Sequence, residues 1–100
     1  MKLVLLSADN APSVYSVPDR VAENLREYCV EFCDKWLHTS EHAQMYRMLE
    51  GVCYDEKDFI AYLNKWIFPN EPTTLIETLD KVNLESGIPE KYRDLEWFNF

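Results

Sequence analysis

Residues 20–36 read RVAENLREYCVEFCDKW, and the fold turns on whether this stretch is a helix and which way it faces. Two cysteines stand four apart, acids recur every three or four residues, and aromatics fill the intervals. At 100° per residue, with Val21 at zero, Phe32 falls at about 20°, Leu25 at about 40°, Trp36 at about 60° and Cys29 at about 80°. Ala22 follows at about 100°, Cys33 at about 120° and Tyr28 at about 340°, which closes one apolar stripe roughly 140° wide. A core-facing amphipathic helix has this pattern. Ser16, Pro18 and Asp19 supply its start signals: a hydroxyl, a proline for the first turn and an acid at the positive end of the dipole. The spacing predicts one helix from Pro18 to His38, ended by the cap- and turn-prone Thr39 and Ser40 of HTSEH.

The reverse face is anionic. Glu23, Glu27, Glu31 and Asp34 gather between about 200° and 280°, opposite the apolar stripe, with only Arg20 among them. Successive turns set these carboxylates about 6 Å apart, comparable to the phosphate repeat of a nucleic-acid strand. Like charges at this spacing cost a few tenths of a kcal/mol each in a lone helix. A plain solvated face accounts for the four acids; so does a surface that meets a basic partner.

Upstream, KLVLLS is a short apolar run closed by the turn-prone ADNAPS and reads as a buried strand, with SVYSVPD as an extended connector into the helix. Downstream, AQMYRMLEGVCYD suggests two short strands turning at Glu50-Gly51, with a helical continuation through Leu49 as the alternative. Asp55 with Asp58 opens a second helix, in which Phe59, Leu63, Trp66 and Ile67 recur up to Pro69. Pro72 begins a weaker third helical pattern with Leu75, Ile76, Leu79 and Val82 on one side. Gly87 marks a turn, Pro89 a helical turn, and EWFNF a final strand or packed extension. With no repeat or linker, residues 1–100 read as a single compact α+β domain of three main helices and a small sheet of short strands.

Composition narrows the function classes. The chain has 100 residues, 47% hydrophobic and 14% aromatic, enough for a modest core and incompatible with a disordered chain. Eighteen acids against ten bases give a formal charge of −8. That argues against direct nucleic-acid binding and against docking on an anionic membrane, and it points to a basic partner if electrostatics are used at all. Charge of this size also keeps a small domain soluble. Three cysteines, an odd count, favour a reducing compartment over a disulfide framework. The apolar run Leu3–Leu6 is too short for a signal peptide, and no stretch is long enough for a membrane span, so a soluble cytoplasmic protein is expected.

Chemistry-bearing patterns are sparse. Cys29, Cys33, His38 and His42, with Cys53 in reserve, have ligand types that zinc takes, but a continuous helix puts the histidines opposite the cysteines. As a redox pair the cysteines lack basic neighbours beyond Arg26, and acidic surroundings raise thiol pKa values. Two histidines and five serines occur with no motif tying nucleophile to base. Two glycines leave no phosphate-cradling loop. Asp55 and Asp58 suit general acid–base work, yet a helix start explains them as well. No enzyme activity and no cofactor are expected.

The expectation is therefore a non-enzymatic acidic protein that binds a basic protein through Glu23, Glu27, Glu31 and Asp34. In type it is similar to small acidic inhibitors of nucleases and CRISPR effectors that imitate nucleic-acid charge. The aromatics Tyr62, Trp66, Phe68, Trp97, Phe98 and Phe100 offer core packing or, alternatively, a homodimer interface. A self-associating domain and a small metal- or thiol-dependent protein are the competing readings.

Overall fold

The computed structural model describes residues 1–8, 11–48, 51–52, 54–79 and 88–100. Strand β1 (Lys2–Ser7) is apolar at four successive positions because both of its faces are buried. Val4 and Leu6 enter the larger core, while Leu3 and Leu5 enter a smaller one on the opposite side. The expected connector after it is instead a second strand, β2 (Ser13–Val17), antiparallel to β1 with Val4 opposite Tyr15. Its alternation Val14 against Tyr15 and Val17 serves the same two cores, and the ladder to β1 supplies the hydrogen-bond partners that an unpaired buried segment would lack.

The long helix follows in four segments. α1 (Asp19–Glu23) stops at Asn24, whose backbone leaves the helical region and whose side-chain amide donates to the Arg20 carbonyl at 3.0 Å. α2 (Leu25–Val30) passes into a π-helical stretch, Glu31–Trp36, and then α3 (Leu37–Thr39). Val21, Ala22, Leu25, Cys29 and Phe32 are buried as the wheel requires. The π stretch changes what comes next. Each wide turn holds an extra residue, so later side chains lag by about 100°. Leu37, otherwise at about 160°, swings to about 60°, the middle of the stripe. It is fully buried, and Trp36 is turned half out. Thr39 and Ser40 end the helix as expected: Thr39 Oγ1 donates to the Lys35 carbonyl, and Ser40 caps a 3-10 turn, Glu41–Tyr46. Arg47 closes the end by donating to the carbonyls of His38 and Ser40.

β3 (Arg47–Met48) and β4 (Gly51–Val52) pair antiparallel, so the strand reading of this segment holds; the turn residues 49 and 50 lie outside the described residues. Asp55 and Asp58 then form a reciprocal capping box for α4 (Glu56–Tyr62). A second π stretch, Leu63–Ile67, ends that helix and again shifts its phase. Tyr62 and Leu63 are buried and Phe68 packs beside the core, whereas Trp66 and Ile67, expected on the apolar stripe, are exposed.

The third helix is replaced by strand β5 (Thr74–Thr78), antiparallel to β2. Two features override the helical spacing. The run from Thr73 to Thr78 is rich in β-branched residues, and Asn64 grips the Thr73 main chain, accepting from its N–H at 2.7 Å and donating to its carbonyl at 3.1 Å. Leu75 and Ile76 are consequently exposed, and among the described residues of the expected apolar set only Leu79 reaches a core. Val82 and Gly87 lie outside the described residues. Glu90–Tyr92 form the 3-10 turn after Pro89, and β6 (Trp97–Asn99) joins β1 in parallel. The result is an α+β fold on a four-stranded mixed sheet, β5-β2-β1-β6.

Candidate protein-binding surface

All four acids singled out in the sequence are exposed on the outer side of the long helix. Their surroundings differ. The Glu23 carboxylate holds Lys2 Nζ at 3.0 Å, and Glu31 holds Lys35 Nζ at 3.5 Å. Asp19, one turn earlier, accepts from the N-terminal ammonium at 2.8 Å, which lowers its pKa. Glu27 and Asp34 have no cation within ion-pair distance among the described residues. Arg20, Asn24, Glu27, Tyr28 and Glu31 together line an open groove of about 380 Å³. The break at Asn24 and the π stretch mean that the four acids do not lie on one ideal α-helical ridge. They share the side turned away from the core rather than a straight line. Such a face can hold cationic side chains by exposed, salt-sensitive contacts.

The thiols and histidines separate. Cys29 is fully buried, and burial drives its pKa far above the ordinary thiol range. Cys33 is half-buried and also raised by burial; hydrogen bonding with this thiol pushes Tyr54 up to about 12. Thiols held protonated are poor nucleophiles and poor metal ligands at neutral pH. His42 stacks on Trp66 at 4.0 Å between ring centroids, and His38 is exposed. No three metal-ligating side chains gather among the described residues, and Cys53 lies outside them. Asp55 and Asp58 spend their lone pairs on backbone N–H groups of the α4 cap, and burial raises the Asp58 pKa.

The six aromatics also divide. Tyr62 is buried; Phe68, Phe98 and Phe100 pack on the core; Trp66 and Trp97 are exposed, Trp97 to 70%. Phe32 is the hub of the cluster, with Trp36, Tyr54, Phe59, Tyr62 and Phe100 at centroid distances from 5.1 to 6.0 Å. Sequence reasoning missed Asp94 and Glu96, which the strand pairing of β6 brings to the same groove as Glu23. Nothing local signals a meeting across some 70 residues; only the β1–β6 pairing reveals it. Among the described residues no helix is long and apolar enough to cross a membrane. No protein-family model, curated protein or solved structure matches this chain.

Proposed function

We propose that this protein is a non-enzymatic binding protein that engages a basic protein through the anionic side of its long helix. The class of target this charge pattern suits is a nucleic-acid-binding protein, such as a nuclease or CRISPR effector, whose cationic groove would be occupied by carboxylates in place of phosphates. The observation that carries the reading is the exposure of Glu23, Glu27, Glu31 and Asp34 on a helix whose opposite face is locked into the core. Glu27 and Asp34 bear the charge that no lysine neutralises within the described residues.

The test is to replace all four acids by Lys and measure association with a panel of basic nucleic-acid-binding proteins at low and high salt. The expected outcome is a loss of roughly tenfold or more at low salt and a flattened salt dependence. Unchanged affinity with no salt dependence in the wild type sinks the reading. Sedimentation of the same samples at several concentrations addresses a second reading, a homodimer through the exposed Trp97. A mass that doubles with concentration and reverts in Trp97→Ser favours it.

A further inference from the structure

Half of β1 has an open edge. β6 pairs with β1 only from Leu5 to Ser7, so Lys2–Val4 meet no strand on that side among the described residues. The Leu5 N–H donates to the Glu96 carbonyl at 2.9 Å. Main-chain groups alternate along a strand with period two, so the N–H and C=O of Leu3 point the same way, past the end of β6. Main-chain groups at a strand edge, here those of Leu3, can pair with another chain.

Beside that edge lies a groove of about 430 Å³. Apolar Leu3, Ala22 and Leu95 line it together with acidic Glu23, Asp94 and Glu96. These residues come from β1, α1 and the loop entering β6, so the groove exists only in the folded chain. Lys2 also borders it, with its ammonium on Glu23. A cation on an aliphatic stem is therefore already seated at one end.

We infer that this groove seats an extended Arg- or Lys-bearing segment of a partner protein. The main chain of that segment pairs with Leu3, and a basic side chain lies over Leu95 with its head among the carboxylates. Charge complementarity selects the occupant: three acids against one lysine repel a phosphate or an acidic peptide. The long stems and charged heads of Arg and Lys match a lining that is part apolar and part acidic. Strand addition supplies affinity from the main chain while the groove supplies selectivity. The inference rests on the proposed basic partner and adds a second, shaped contact, joined to the helix face through Glu23.

The test uses the full-length, isotope-labelled chain and an acetylated hexapeptide alternating Arg and Val, with a Glu–Val peptide as control. Amide shifts are expected at Leu3, Ala22, Glu23, Leu95 and Glu96 with the basic peptide only. D94N/E96Q should weaken binding roughly tenfold. K2M, which vacates Glu23, should strengthen it a few-fold. E27Q/D34N should leave the groove shifts in place. Shifts confined to the outer helix face, indifference to D94N/E96Q, or an equal response to the acidic peptide overturn the groove. The two proposals fail separately. Basic proteins that bind the wild type, lose the Lys-reversed helix and ignore D94N/E96Q leave the helix face standing without the groove. A groove titration with no association of basic proteins does the reverse.

Discussion

The two sides of the sheet are held by different means. On one side Val4, Leu6, Tyr15 and Val17 meet the long helix and the ring cluster around Phe32, an almost wholly apolar contact. On the other, Leu5 and Val14 meet Leu79 and Tyr92, with Leu3, Ile88 and Leu95 partly covered and no helix longer than a 3-10 turn among the described residues. A polar pin adds to the hold there: Tyr92 Oη donates to Glu77 Oε2 at 2.5 Å. Apolar burial scales with area and resists water; a few hydrogen bonds near the surface hold a chain in register at modest net gain. The helix side should therefore open last, and the segment around Tyr92 early. The outer helix face is thus presented by the more rigid half, and the groove lies at the border of the two.

The largest effect that would break this contrast is in the ring cluster. Phe32→Ala removes a fully buried ring with five aromatic neighbours and should cost about 3–5 kcal/mol in denaturant unfolding. Leu79→Ala, equally buried but in the smaller cluster, should cost about 2–3 kcal/mol, because the looser cover can collapse into the cavity. Equal costs, or a larger one at Leu79, would show that the second cluster is as well packed as the first.

A smaller effect probes a polar contact on the rigid side. Asp55 Oδ1 accepts from Lys57 N at 2.9 Å and Asp58 N at 3.2 Å, while Asp58 Oδ2 accepts from Asp55 N at 2.9 Å. Asp55→Ala should lower stability by about 1 kcal/mol. Asp55→Asn should restore most of it, since the amide oxygen caps as well. A loss in Asp55→Asn as large as in Asp55→Ala would mean that charge, not capping, is what the site supplies.

These contrasts also explain what the residues revealed beforehand. The stripe from Val21 to Phe32 was legible because an α-helix has one period and its buried face obeys it. The Asp55–Asp58 spacing was legible because capping is local. Trp66 and Ile67 were misplaced, and the burial of Leu37 was not foreseen, because both helices widen into π turns and no single residue type announces a change of period. β5 was hidden because Leu75, Ile76 and Leu79 mimic a helical face, while the deciding contact, Asn64 on Thr73, is tertiary. The helix acids were visible as a periodic set. Asp94 and Glu96 were not, since their approach to Glu23 depends on a parallel pairing of the two ends of the chain.

The smallest expected effect tests the polar pin itself through its pH dependence. The hydrogen bond to Glu77 raises the pKa of Tyr92 above its usual 10.0, so folding favours the protonated phenol. For an acid whose folded pKa is raised, the stabilisation is fully present below the unfolded pKa and fades as pH rises through the folded one. Thermal unfolding of the wild type and Tyr92→Phe should therefore differ at neutral pH by a constant gap that narrows above pH 10. Other buried tyrosines and the thiols of Cys29 and Cys33 make both proteins less stable at alkaline pH, but they are common to both and cancel in the difference. A gap that stays the same through the alkaline range would show that the Glu77 contact contributes nothing, and that the second side of the sheet rests on its apolar cluster alone.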